Sequence, residues 1–158
     1  QLATEGFPIK LTLIGENFFD KIGKNINKLV KEVNIENKII DWHQNVSIDE
    51  VKNYYHLSDC FIFASTCENM PNILIEAMSS GLPIISSNSG PMKEFLKDSG
   101  IYFNPLSVIQ LKKSILMMIN DVGLRKKLSR KAYELSFNYS WQKCSKKTIL
   151  YLTDRVKQ

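Results

Sequence analysis

Five short apolar runs between residues 9 and 103, each separated from the next by a stretch with helical spacing, constrain this chain more than any other feature. "IKLTLIG" (9–15), "KIIDW" (38–42), "CFIFAS" (60–65), "PIISS" (83–87) and "GIYF" (100–103) have the length and the β-branched or aromatic content of buried strands. The intervening segments read as helices. In "DKIGKNINKLVKEV" (20–33), Ile22, Ile26, Leu29, Val30 and Val33 share one face. "SIDEVKNYYHL" (47–57) opens with the Ser47-x-x-Glu50 capping-box pattern, a third helix starts at Pro71, and "GPMKEFLKD" (90–98) is a short fourth. Strands alternating with helices of this length imply βαβ units and a parallel sheet covered on both faces. After residue 103 the strand pattern stops, and three helices follow from about 107, with Asp121 and Ser140 as N-caps of the last two. The expected fold is α/β: an open parallel sheet of about five strands with helices on both faces and a C-terminal helical tail (107–158), in one domain spanning 1–158.

Composition excludes several classes. No apolar run approaches the ~20 residues of a membrane span, and the first residues lack a signal-peptide layout. Cys60, Cys67 and Cys144 are too few and too scattered for a disulfide framework or a zinc site, which favours a reduced, cytoplasmic setting. The net charge of +5 is unevenly placed, with a balance of −4 over residues 1–106 and +9 over 107–158. Such a basic block suits nucleic acid or an anionic membrane surface; lysine-rich, solvated helix faces are the plainer account.

Open parallel sheets bind ligands beyond the carboxyl ends of their strands. Two loops at such ends carry polar residues: Gly15-Glu16-Asn17 and Thr66 to Asn72. Neither contains G-x-G-x-x-G or a Walker motif, so a dinucleotide or P-loop site is not expected. Pro71 suits the first helical position, and the N–H groups of Asn72, Ile73 and Leu74 would then point out of the helix start as an anion site. Ile73, Leu74, Ala77 and Met78 make an apolar helix face, and Asn72, Glu76, Ser79 and Ser80 a polar one. Glu76 lies a turn beyond the anion site, where an ionised carboxylate accepts hydrogen bonds from a pair of hydroxyls. Spacing alone leaves two other accounts of Glu68 and Glu76 open: surface residues, or an acid and a nucleophile. His43 and His56 are isolated, and Cys67 reads as a small reduced thiol. Phe61, Phe63 and the Ile115–Met118 run read as core. Tyr139 and Trp141 would anchor the last helix.

The stretch "SDCFIFASTCENMPNILIEAMSSGLPIISSNSGPMKEFLKDSGIYFNP" resembles the C-terminal, donor-binding half of retaining GT-B glycosyltransferases, the family "glycosyl transferases group 1" (family 4-like). That family carries two glutamates with seven residues between them, the second opening Glu-Ala-Met-x-x-Gly-x-Pro before an apolar strand. Glu68 and Glu76-Ala77-Met78-Ser79-Ser80-Gly81-Leu82-Pro83 match this layout. Ser58-Asp59, Gly90 with Glu94, and "YSW" (139–141) match as well, so the resemblance covers about residues 9 to 150. It implies a Rossmann-like domain in which Glu76 holds the ribose hydroxyls of a nucleotide sugar. Glu68 is then the catalytic carboxylate over the sugar. Gly15, Asn69, Met70, Asn72 and Ile73 bind the sugar and diphosphate, and Asn45 and Val46 contact the nucleobase. No metal or cofactor is implied, the nucleotide sugar being substrate. The implied partners are a glycan or lipid-linked acceptor and a membrane surface met from the cytoplasmic side, with no nucleic acid.

The sequence departs from the family at several points. The Arg and Lys that usually neutralise the diphosphate have no counterpart, since the first arginine is Arg125. The expectation is a fragment lacking that segment and the acceptor-binding N-terminal domain, weak in donor binding and inactive alone. Asn69 and Gln44 stand where glycine is common, and Pro71 removes one amide. A non-catalytic nucleotide-sugar-binding module and a sugar-nucleotide epimerase of the same architecture remain alternatives.

Overall fold

A computed structural model describes residues 1–15, 20–37 and 39–156, and the chain falls into two compact units, Gln1–Tyr54 and Tyr55–Gln158. The expected residues Glu16, Asn17 and Lys38 lie outside the described residues.

The first unit holds β1 (Leu11–Ile14), α1 (Asp20–Asn37), β2 (Ile40–His43) and most of α2 (Ile48–Leu57). β1 and β2 pair in parallel, Leu11 opposite Ile40 and Ile14 opposite His43. A parallel pair needs a long crossover, which α1 supplies. Lys10 and Asp41 form an ion pair of 2.6 Å beside the start of this ladder. α2 begins with the capping box that its sequence implies. The Ser47 N–H and Oγ both donate to Glu50 Oε2, at 2.9 and 2.6 Å, and the Glu50 N–H returns a bond to Ser47 Oγ at 3.3 Å.

The second unit is built on a three-stranded parallel sheet in the order β3 (Phe61–Phe63), β4 (Ile84–Ser87), β5 (Gly100–Phe103). Among the described residues, five strands thus form two ladders, one of two strands and one of three. α3 (Asn72–Ser79) and α4 (Met92–Leu96) are the crossovers between β3, β4 and β5. α5 (Val108–Asn120), α6 (Val122–Ser136) and α7 (Trp141–Val156) follow. Every residue of the central strand β4 is buried. Strand alternation sends Phe61, Phe63 and Ile84 into one cluster with Leu74, Ala77, Met78, Met92, Leu96 and Ala132. Ile62 and Ile85 join the other, with Phe103, Met118 and Leu128. Both faces of this sheet are therefore covered, and each large side chain so buried contributes roughly 1.5–3 kcal/mol.

The caps fall where the sequence indicates. Asp121 accepts from the Leu124 N–H at 2.8 Å, and Ser140 Oγ from the Lys143 N–H at 3.2 Å. Two expectations need correction, and one stands. Of the Ile115–Met118 run, Met118 is buried but Met117 is exposed, because α5 turns only one side to the sheet. Tyr139 does anchor the chain before α7, its hydroxyl donating to the Phe95 carbonyl at 3.2 Å and its ring lying 5.2 Å from that of Phe95. Trp141 anchors nothing; it is 73% exposed, as are to varying degrees all residues of α7 whose side chains are described. No helix among the described residues is long and apolar enough to cross a membrane.

Candidate functional site

In the second unit the chain leaves β3 and passes through residues 64–71 into α3. Two hydroxyls hold the first half of that loop. Ser87 Oγ, at the end of β4, donates to the Ser65 carbonyl at 2.6 Å, and Ser65 Oγ to the Cys67 carbonyl at 3.3 Å. Gly90 approaches from the turn after β4, with φ +57; a Cβ there would lie 3.8 Å from the Glu68 carbonyl oxygen. Glu68, partly exposed, thus sits on a loop tied to the buried central strand.

α3 is short but sharply bounded. Pro71 is fully buried and occupies the N-cap, not the first helical position, with φ −81 and ψ 73. Its carbonyl accepts from the Leu74 and Ile75 N–H groups at 3.0 and 3.2 Å, and the Asn72 N–H donates to the Met70 carbonyl at 2.9 Å. Of the three amides expected to face a ligand, those of Asn72 and Leu74 are therefore taken. The Ile73 N–H has no acceptor among the described residues. At the other end Gly81, at φ +71, allows a Schellman turn in which its N–H donates to the Met78 carbonyl and the Leu82 N–H to that of Ala77.

Leu74, Ala77 and Met78 form the buried face of α3. Ile73, expected with them, is 54% exposed, because the first helical turn lies at the edge of the packed surface. Asn69, Met70, Asn72 and Glu76 are also exposed, so the polar face and the helix start open to solvent together. The Glu76 side chain is met by Tyr55, whose hydroxyl donates to Oε2 at 3.3 Å. Burial, then the Glu76 charge, pushes the Tyr55 phenol well above its ordinary range. Ser79 and Ser80 hydroxyls turn to the Glu76 carbonyl at 2.8 and 2.9 Å and leave the carboxylate alone. Neither Glu68 nor Glu76 is ion-paired among the described residues.

Sequence reasoning missed Tyr55 and the Ser65–Ser87 tie. Tyr55 is one of two adjacent tyrosines on α2 and only its packing singles it out, whereas Ser86-Ser87 at the end of an apolar strand is a visible polar interruption.

In the first unit, Gly15 has φ +142, its N–H donates to the His43 carbonyl at 3.1 Å, and its carbonyl accepts from Trp42 Nε1 at 3.1 Å. Asn45 adopts φ 55, a left-handed conformation that asparagine tolerates, and Val46 is half-buried. His43 packs its ring 5.0 Å from that of Tyr54. Among the described residues no group of three or more His, Cys, Asp or Glu is placed to hold a metal ion.

Comparison with known proteins places this geometry in a family. The model of the family "Glycosyl transferases group 1" matches residues 2–135. An uncharacterized glycosyltransferase of Methanocaldococcus jannaschii (MJ1178) is 28% identical over 144 residues, covering 90% of this chain and 40% of the relative. The chain spans well under half the length of the first curated relatives it matches. The C-terminal domain of a glycosyl transferase group 1 family protein (LpcC) of Francisella tularensis superposes with a TM-score of 0.68 at 19% identity, over 86% of this chain and 89% of that domain. Anabaena HepE, solved in complex with UDP and glucose, gives 0.81 at 16% identity over 92% of this chain and 40% of its own. The fold is that of GT-B glycosyltransferases, and the chain belongs to the glycosyl transferases group 1 family.

Proposed function

We propose that this chain is the donor-binding part of a retaining glycosyltransferase that transfers a hexose from a nucleoside diphosphate sugar to a glycan or lipid-linked acceptor. The observation that carries this is the pairing of Glu68 and Glu76 on one loop-and-helix segment at the end of β3, both open to solvent and neither ion-paired among the described residues. Glu76 accepts from the ribose hydroxyls, and a carboxylate has acceptor sites enough for two. The Ile73 amide, at the positive end of α3, meets the diphosphate, with Asn69, Met70 and Asn72 around the sugar. As the bond from the anomeric carbon to the diphosphate breaks, its electron pair leaves with the nucleotide. Glu68 offsets the positive charge developing on the sugar. The acceptor hydroxyl bonds to that carbon on the same face and passes its proton to the departing diphosphate. The reaction calls for no metal or cofactor. The basic tail suits attachment at the inner face of an anionic membrane, beside a lipid-linked acceptor.

Ligand-observed NMR titration of this chain with UDP, GDP and ADP, repeated with Glu76→Ala, tests the proposal. The expected result is saturable binding of one nucleotide, weakened at least tenfold by the substitution. Binding that is indifferent to Glu76, or no binding at millimolar nucleotide, overturns it for this chain. UDP is the first probe, since HepE was solved with it.

A further inference from the structure

Glu76 projects from the exposed face of α3, where a glutamate side chain ordinarily samples several rotamers. Fixing such a chain costs conformational entropy, which a ligand must otherwise supply on binding. One protein donor reaches this carboxylate among the described residues: the Tyr55 hydroxyl, 3.3 Å from Oε2. The same hydroxyl lies 3.5 Å from the Ile73 carbonyl, a longer contact to a neutral acceptor. With a single hydrogen to give, the phenol favours the charged acceptor. Its own position is set by packing. The Tyr55 ring is half-buried, meets the Phe61 ring edge-on at 5.8 Å and 64°, and lies against the cluster containing Phe63 and Leu74. The elevated phenol keeps its proton throughout the neutral range and remains a donor there.

We infer that Tyr55 is a positioning residue: it holds the Glu76 carboxylate in one orientation, with Oε1 and the second lone pair of Oε2 presented to a vicinal diol. This rests on the assignment of Glu76 to the ribose hydroxyls. Tyr55 touches no substrate; its effect passes through Glu76 and is specific to ligands that carry the diol. A tyrosine that merely supported the fold would affect nucleotides with and without those hydroxyls alike.

The test is a titration of the full chain with whichever of UDP, GDP and ADP binds, and with its 2′,3′-dideoxy counterpart, in wild type, Tyr55→Phe, Glu76→Gln and the double variant. Phenylalanine keeps the ring against Phe61, and unchanged thermal melting verifies the fold. Tyr55→Phe is expected to weaken the ribonucleotide about three- to tenfold, leave the dideoxy nucleotide unchanged, and add nothing in the Glu76→Gln background. Side-chain couplings of Glu76 should report one rotamer in wild type and averaging in Tyr55→Phe, a readout independent of ligand. If Glu76→Gln collapses the ribo-to-dideoxy ratio while Tyr55→Phe leaves both affinities and couplings unchanged, the positioning role alone is overturned. It is overturned as well if Tyr55→Phe weakens both nucleotides equally. If Glu76→Gln leaves the ratio intact, or no nucleotide binds, the ribose assignment fails and the inference with it.

Discussion

The Tyr102 hydroxyl donates to the carbonyl of Lys97 at 2.6 Å, and Lys97 is the residue whose backbone stands at φ 48 and ψ −123. Lys97 caps α4 and turns the chain toward β5, with the Ser99 N–H bonded to the Leu96 carbonyl at 3.0 Å. This is the first central position of a type II′ turn, where glycine is the favoured residue. A side chain there costs of order 1–3 kcal/mol. Lys97→Gly removes that cost, loses part of the gain to the freer unfolded chain, and keeps the backbone carbonyl that Tyr102 uses. The expected net effect is a stabilisation of about 0.5–1 kcal/mol, read from urea denaturation.

The chain should lose stability in alkali before it loses it near neutrality. Burial pushes the Cys60 thiol from its ordinary 9.0 up to about 12. Burial first, and the Asp98 charge second, pushes the Tyr102 phenol from 10.0 to about 12. Both groups are neutral when protonated, and between the unfolded and folded values the folded state holds the extra protons. Their contribution is therefore complete below about pH 9 and declines as pH rises toward 12. The urea midpoint is expected to be flat from pH 7 to 9 and to fall by pH 11. Cys60→Ala should remove the part of the decline that starts earliest.

Two glycines are required for different reasons, and alanine scanning can separate them. At Gly100 a Cβ would lie 2.3 Å from Leu96 Cδ2 and 3.0 Å from the Ile84 carbonyl oxygen, so Gly100→Ala overpacks the sheet. A loss of about 1–3 kcal/mol is expected. At Gly81 a Cβ meets nothing within 4 Å, but φ is +71. Gly81→Ala should cost about 1–2 kcal/mol through the backbone alone. Asparagine, which tolerates left-handed angles, should recover part of that loss at 81 and none at 100.

α7 should be dispensable for the stability of this chain. None of its side chains described is buried, and Ile149, Leu150, Tyr151 and Leu152 are all more than half exposed. Ending the chain at Ser140 is expected to change the unfolding free energy by less than about 1 kcal/mol. A larger loss by urea denaturation would mean that the helix packs on something in solution.

Element type is legible across the described residues because local signals agree with one another: the Ser47–Glu50 box, the Asp121 and Ser140 caps, and Gly81 before Pro83. That one contiguous loop and helix carries both Glu68 and Glu76 is legible too. Long-range relations are not. Which strands share a ladder depends on pairing between segments distant in sequence. The place of Pro71 turns on its ψ of 73, which the residue's identity does not specify. Tyr54 and Tyr55 look alike in sequence, yet one packs on His43 and the other reaches Glu76. Ile73 fits the apolar spacing of α3 and is nevertheless exposed, since spacing says which residues share a face and not how far the opposing surface extends.

The two sides of α3 have unequal freedom to change over evolutionary time. Leu74, Ala77 and Met78 have no exposed surface, and substitution at any of them disturbs the core. Asn69, Met70, Asn72 and Ile73 are open to solvent and meet no such constraint. A lineage can thus exchange the residues at the helix start, and with them the donor contacts proposed above, while its folding determinants stay untouched. Libraries randomised at those four positions should consequently yield folded proteins at high frequency, a favourable starting point for selecting altered specificity.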